Sequence, residues 1–300
     1  MQPIPGPSCS CAPGTPRRPE RARSHPIARS ASRFSRQAAR RSPAAAGRRT
    51  TAGQACAKHG WSVRRLVVIP ALNEERSLPA LLAELRAEAP EWDVCVVDDG
   101  SSDLTASVAR ANGAVVLQLP FNLGIGGAVQ TGYRWGSASG YEIVAQIDGD
   151  GQHAPASLRV VSEPVLDGRA DMAIGSRFRG GGGYQSTWGR RIGIRYLSLL
   201  LRLRTGARVS DPTSGLRVVG PRALALFAAR YPSDYPEPES IALAARSGLR
   251  IGEVAVTMRA RRHGRSSIDA LRALYYAVKV SLAVIFIPVD ARRHARPSSE

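Results

Sequence analysis

Two carboxylates one residue apart, Asp148 and Asp150, stand with Gln152 and His153 directly after the apolar run Ile143 to Ile147. Aspartate and glutamine offer hard oxygen donors, the set that a divalent cation such as Mg2+ or Mn2+ takes. Mg2+ in particular is usually held by one or two carboxylates together with substrate phosphates. Alternate residues of an extended segment point the same way, so Asp148, Asp150 and Gln152 can present oxygens to one point. Gly149 and Gly151 between them let the backbone turn sharply and approach a bound group. Asp and Gly are also turn residues, so an acidic turn closing a strand is the competing reading of the same stretch.

The elements that must position these residues follow from periodicity. Val63 to Ile69 reads as a strand closed by Pro70 and followed by Asn73 and Glu74. Leu78, Leu81, Leu82 and Leu85 recur at helical spacing, which predicts a helix from Ser77 to Ala89, stopped by Pro90. A second strand, Asp93 to Val97, ends in Asp98, Asp99 and Gly100. Ser101, Ser102 and Asp103 then offer a cap for a helix through Arg110. Ala114 to Leu119 reads as a third strand, Gly124 to Ser139 as a small-residue helix and Ile143 to Ile147 as a fourth strand. This alternation predicts an α/β fold with a mostly parallel sheet. Ligands of such sheets bind beyond the carboxyl ends of the strands, where Asn73 with Glu74, Asp98 with Asp99, and Asp148 with Asp150 all fall.

Other chemistries lack their motifs. No GxGxxG follows a strand, and Asn122 to Gly132 has neither that spacing nor the Lys and Ser/Thr of a P-loop, so its glycines are expected to permit close helix packing. There is no GxSxG elbow and no HExxH.

Farther on, Ala170 to Ile174 is an expected strand leading into Gly175, Ser176, Arg177 and Phe178, and a glycine-rich loop spans Gly180 to Gly183. A helix from Trp188 to Arg204 carries Arg190, Arg191, Arg195 and Arg202 among leucines. Val209 to Val219 reads as a turn and strand, Tyr235 to Glu239 as a rigid turn before a helix to Ser247, and Arg250 to Met258 as a strand. Arg259, Arg261, Arg262, His263 and Arg265 precede an amphipathic stretch, Ile268 to Ile287. Its uninterrupted apolar part is roughly ten residues, short of the about twenty that span a bilayer. It suits lying on an anionic membrane surface, or docking on the sheet or on a small membrane-protein partner.

Five ordered segments, VVIPALNEE, VVDDGSSD, DGDGQH, GSRF and DPTSGLR, make residues 66–258 resemble a family 2 glycosyltransferase of the GT-A fold. The resemblance is to the branch of dolichyl-phosphate mannose synthase and bacterial polyprenyl-phosphate glycosyltransferases. It implies a nucleotide-diphosphate sugar donor, UDP- or GDP-linked, a polyprenyl phosphate acceptor, inversion at the anomeric carbon and a Mg2+ or Mn2+ cofactor. It implies that Pro70, Asn73 and Glu74 line the nucleoside pocket, that Asp98 and Asp99 contact base and ribose, and that Asp148, Asp150 and Gln152 hold the metal. Arg177, from GSR, and one of Arg190, Arg191 and Arg195, with Arg191 preferred, are implied to hold the acceptor phosphate, with Arg217 and Ser214 near the phosphates and Asp211 near the reacting centre. The family often has an aromatic residue where this chain has Leu72, which leaves the choice of base open.

Composition sets the frame. A chain of 300 residues that is 43% apolar can build a real core. Residues 1–62 hold twelve Lys or Arg against the single acid Glu20, a net +11, which leaves +7 of the chain's +18 for residues 63–300. That Arg-, Pro- and Ala-rich tail is expected to be disordered. It lacks the apolar core of a secretory signal and reads as a passive extension, a targeting segment or a binding arm. Residues 63–260 are expected to form the transferase domain, and 261–300 a basic segment with the amphipathic helix. Cys9, Cys11, Cys56 and Cys95 show no metal spacing and imply no disulfide framework. The expected location is cytoplasmic, peripheral on the cytoplasmic face of the membrane. Two alternatives stand beside this reading: a family 2 enzyme with a soluble sugar, protein or polysaccharide acceptor, and a nucleic-acid-binding protein acting through its basic tail. In the main reading no nucleic acid is expected as a partner.

Overall fold

The structure, a computed structural model, describes residues 63–179, 188–259 and 270–286, without the side chains of Arg190 and residues 270–276. The expected disordered tail, the Gly180–Gly183 loop and the cluster Arg261, Arg262, His263 and Arg265 lie outside the described residues.

Among the described residues seven strands form one sheet: β1 (Arg65–Ala71), β2 (Trp92–Asp98), β3 (Val115–Gln118), β4 (Ile143–Gln146), β5 (Met172–Ser176), β6 (Arg217–Val219) and β7 (Ile251–Ala255). Their order is β3-β2-β1-β4-β6-β5-β7. All pairings are parallel except those of β6, which runs antiparallel to β4 and β5. Leu66 to Ile69 are completely buried, as a parallel strand covered by helices on both faces must be.

One face of the sheet is covered by α1 (Leu78–Glu88) and α4 (Ser157–Leu166), and α2 (Thr105–Ala111) lies against α1. The four predicted leucines of α1 are all buried there, each contributing about 1.5–3 kcal/mol. The other face takes α3 (Gly124–Ala138), α5 (Trp188–Thr205), α6 (Pro221–Ala229), α7 (Pro236–Arg246) and α8 (Ala270–Phe286). The glycines of α3 serve close approach: a Cβ on Gly132 would stand 2.3 Å from Val68 Cγ1.

Three local expectations are corrected. Helix α2 starts at Thr105 rather than at the serines, and Asp103 accepts the Thr105 N–H from one residue outside the cap, because its other oxygen holds Glu75 N–H. Helices α4 and α6 had no clear signal, α4 carrying Pro164 inside it. Strand β7 ends at Ala255, and Met258 rejoins the molecule only through an isolated antiparallel bridge to His153.

Helices α5 and α8 bury Leu197, Leu201, Val280 and Val284 together and are tied by Tyr196 Oη to Ser281 Oγ, 2.9 Å, and Arg204 Nη2 to the Ile285 carbonyl, 2.7 Å. On their outer side Trp188, Ile192, Tyr196, Leu199 and Leu203 form one exposed apolar stripe, continued by Val278, Leu282 and Phe286. Exposed Arg191, Arg195 and Arg202 accompany it.

Candidate active site

The cleft forms where β1, β2 and β4 end, as the topology requires. Asn73 adopts a left-handed φ of 56°, a conformation asparagine tolerates. Its Oδ1 accepts Ser102 N–H at 2.9 Å, while its own N–H donates to Ser101 Oγ at 2.9 Å. Glu74 N–H donates to Thr105 Oγ1 at 2.8 Å, so the loops after β1 and β2 are laced into one rim. Buried Asp98 works within that rim, accepting Ser101 N–H at 3.0 Å. Asp99 accepts Leu123 N–H at 2.7 Å and fixes the entry to α3.

An open cleft of about 310 Å³ results, lined by Pro70, Leu72, Glu74, Asp99, Asp148 and Asp150, with the start of α3 opposite. Of the predicted donor residues, Pro70, Glu74, Asp99, Asp148 and Asp150 share this cleft. Asn73 and Asp98 brace its rim, and Gln152 is not among its lining residues.

The aspartates meet for a different reason from the one expected. Gly149 and Asp150 form a turn rather than an extended segment, Gly151 takes φ 71°, and Asp150 Oδ1 accepts Gln152 N–H at 3.0 Å. Asp148 is pressed against Gly215, where a Cβ would lie 2.1 Å from its Oδ2. Its Oδ1 is buried with no hydrogen-bond partner. Burial pushes the Asp148 carboxyl above its ordinary range, a rise that His153 opposes and Asp150 reinforces. Burial likewise lowers His153, against the pull of Asp148, and favours the neutral imidazole. A carboxylate on the cleft wall with one oxygen buried and unpartnered, beside a second carboxylate, is a costly arrangement that a cation would offset, so these residues fit a divalent metal. Among the described residues no three His, Cys, Asp or Glu side chains form a metal cage, so such a cation would draw its remaining ligands from elsewhere, as Mg2+ does from substrate phosphates.

The residues implied for the acceptor lie deeper than the motifs suggest. Asp211 is fully buried and holds Arg177 in a bidentate pair, Nε to Oδ2 and Nη2 to Oδ1 both at 2.6 Å, and it also accepts Arg177 N–H at 3.0 Å. Arg177 Nη2 reaches Thr213 Oγ1 at 2.7 Å. Arg217 is also fully buried. It donates to the Ser214 carbonyl at 3.0 Å, the Glu237 carbonyl at 2.7 Å and Ser240 Oγ, pinning the 212–214 turn to α7. Ser214 is buried, its Oγ accepting Leu216 N–H. Of that set Arg191 and Arg195 are exposed, on α5.

Sequence reasoning missed a polar layer behind Asp148. Gln146, fully buried, accepts from Tyr231 Oη at 3.4 Å, and burial lifts the Tyr231 hydroxyl to about 12. Burial also raises Glu237, opposed by Arg217 and reinforced by Asp148. The available signal was Gln146 itself, a polar residue inside the apolar run IVAQI.

Residues 66–224 match the family model described as Glycosyl transferase family 2. The chain is 37% identical over 217 residues to an undecaprenyl-phosphate mannosyltransferase of Micrococcus luteus, a match covering 69% of this chain and 88% of that protein. It is 34% identical over 161 residues to a polyprenol monophosphomannose synthase of Mycolicibacterium smegmatis, covering 51% of this chain and 60% of that one. Among solved structures it is similar to glucosyl-3-phosphoglycerate synthase from Mycobacterium tuberculosis in complex with Mg2+ and UDP, with a TM-score of 0.59, 25% identity, and 75% of this chain and 80% of that one covered. The same enzyme is also solved with Mn2+, UDP and glucosyl-3-phosphoglycerate (TM-score 0.59, 23% identity, 75% and 81% covered).

Proposed function

The chain belongs to glycosyl transferase family 2, and on that premise we propose that it transfers a hexose from a nucleotide-diphosphate sugar to a polyprenyl phosphate, with inversion. The observation that carries the reading is the Asp148 carboxylate, one of its oxygens buried without a hydrogen-bond partner, sharing a cleft with Asp150, Asp99 and Glu74 at the strand ends. The names of two relatives, a mannosyltransferase of undecaprenyl phosphate and a polyprenol monophosphomannose synthase, support the acceptor.

In this reading Asp148 and Asp150, with Gln152, would hold Mg2+ or Mn2+. The chemistry such a cation supplies is neutralisation of the charge that builds on the departing diphosphate. Pro70, Asn73, Glu74, Asp98 and Asp99 form and brace the nucleoside side, and Leu72, half exposed on the cleft, takes the face of the base. An acceptor phosphate monoester has a second pKa of about 6 and is already largely anionic near neutrality, so no side chain has to remove a proton. The occupied oxygens of Asp211 agree with that, both being held by Arg177. Arg191, on the exposed face of α5, meets the lipid phosphate by donating paired hydrogen bonds. Arg177, Ser214 and Arg217 support the phosphate side from behind.

The transferase domain is residues 63–260 in this proposal, working on the cytoplasmic face of the membrane. No described helix is long and apolar enough to cross a membrane. The arginine-flanked apolar stripe of α5 and α8 supports attachment to an anionic surface instead. A soluble acceptor is the second reading, favoured by the product in the name of the M. tuberculosis synthase.

The test incubates the protein with membranes and labelled UDP- or GDP-sugars and extracts with organic solvent. Label in the lipid phase that requires a divalent cation and disappears with Asp150→Asn is the expected result. Label confined to water-soluble product refutes the lipid acceptor.

A further inference from the structure

His153 is 1% exposed, and neither ring nitrogen has a hydrogen-bond partner. Burying a polar ring without partners is costly, and such groups in native structures call for an explanation. The nearest charged oxygen is Asp148 Oδ2, 3.9 Å from Nε2, beyond hydrogen-bond distance. Asp148 in turn leaves its Oδ1 buried and unpartnered. An orphaned ring nitrogen thus faces the carboxyl group that carries the orphaned oxygen.

Both are anchored from behind. The backbone of His153 pairs with Met258, the Gln152 carbonyl accepts Arg259 N–H at 2.9 Å, and Asp148 rests on the bare Cα of Gly215. The ring therefore has little freedom to turn elsewhere, and the carboxyl has room only in torsion.

Resting on the reading of Asp148 and Asp150 as cation-holding residues, we infer that His153 is a positioning residue, whose Nε2–H holds the Asp148 carboxylate and so fixes its orientation toward the cation. Ligating carboxylates are commonly held by such outer partners, whose loss costs about 10–100-fold in metal affinity. A neutral imidazole supplies one donor and one acceptor, and the donor is the nitrogen that faces the carboxylate. His153 does not itself ligate, consistent with the lack of a three-residue metal cage among the described residues.

The test titrates the full chain with Mn2+ in the presence of UDP and, separately, of GDP, following free Mn2+ by electron paramagnetic resonance without turnover. Three proteins are compared: wild type, His153→Phe, which keeps the ring shape without nitrogens, and His153→Gln, which keeps a donor at the Nε2 position. The Phe variant is expected to bind Mn2+ about 10–100-fold more weakly, and the Gln variant to recover most of the loss. Metal-free melting of the Phe variant is expected at or above wild type, since two unpaired buried nitrogens are gone. Should that variant fail to fold, His153→Asn, whose shorter amide does not reach Asp148, carries the same expected loss. Equal Mn2+ affinity in wild type and the Phe or Asn variant overturns the inference. So does a pulsed-resonance signal of a histidine nitrogen bound directly to Mn2+, which would make His153 a ligand. A wild type that binds Mn2+ with neither UDP nor GDP refutes the metal reading itself and takes this inference with it.

Discussion

Asp211→Asn tests whether the Arg177–Asp211 pair is a structural latch. Both side chains are buried, at 2% and 0% exposure, and the pair is bidentate at 2.6 Å with a further backbone bond from Arg177. Removing one partner of a buried ion pair leaves an uncompensated charge and costs about 3–5 kcal/mol. That is a large share of the about 5–15 kcal/mol that holds a domain folded. For a domain of this size each kcal/mol moves the midpoint by about 2–4 °C, so thermal unfolding is expected to fall by about 6–20 °C. Replacing both residues with apolar ones, Arg177→Met with Asp211→Leu, removes the charge as well as its partner and is expected to restore most of the stability. A single variant within about 1 kcal/mol of wild type, or a double variant no better than the single one, refutes the latch. The double variant also reads function: if it is stable and still transfers sugar, the pair is purely structural. If it is stable and inactive, the pair also serves the reaction.

Gly215→Ala puts a Cβ 2.1 Å from Asp148 Oδ2, so the carboxylate must move; transfer is expected to fall about 100-fold, measured as labelled lipid, with a stability change of about 1–3 kcal/mol. At Asp171 burial alone would raise the carboxyl, but hydrogen bonds from Arg250 and the charge of Arg222 hold it below its usual 3.8. Its contribution is therefore present above that value and lost as pH falls through the lower folded value, and urea unfolding of Asp171→Asn against pH is expected to lack this acid-side slope. Leu199→Glu with Phe286→Glu charges the stripe shared by α5 and α8 without touching the core. Flotation with phosphatidylglycerol vesicles is expected to show binding weakened about tenfold per substitution, and unchanged binding refutes this face as the membrane contact.

The first half of the fold was legible because each element there carries a local signal. The leucines of α1 keep helical spacing, and β1, β2 and β4 are mostly apolar runs followed by acids or Asn-Glu. Acids at the same end of successive parallel strands predict one crevice, and Glu74, Asp99, Asp148 and Asp150 do share it. Burial was less legible. Arg177, Arg217 and Asp211 look like surface chemistry in sequence because charged residues are almost never fully buried unless paired, and pairing is a tertiary fact. Asp211 and Arg177 are thirty-four positions apart, and nothing local announces their meeting. His153 could be read as part of a motif but not as a buried ring facing Asp148, since its burial comes from the bridge to Met258, more than a hundred residues away.

The antiparallel course of β6 explains why these hidden groups collect at the site. In register, Gln146 of β4 and Ile174 of β5 both stand beside Arg217, the first residue of β6. Were β6 parallel to its neighbours, its first residue and the preceding turn would lie at the amino ends of β4 and β5, away from the acids of the cleft. Running the other way, β6 brings Asp211, Ser214 and Gly215 to the carboxyl ends, where Asp148 leaves β4 and Arg177 leaves β5. The turn then has three structural tasks in one place: Asp211 takes Arg177, Gly215 makes room for Asp148, and Arg217 ties the turn to α7. Each task removes an alternative position for the Asp148 carboxylate, which is left with His153 on one side and the cleft on the other. The order of strands, more than any single motif, is what makes two aspartates in a polar turn into a candidate metal site.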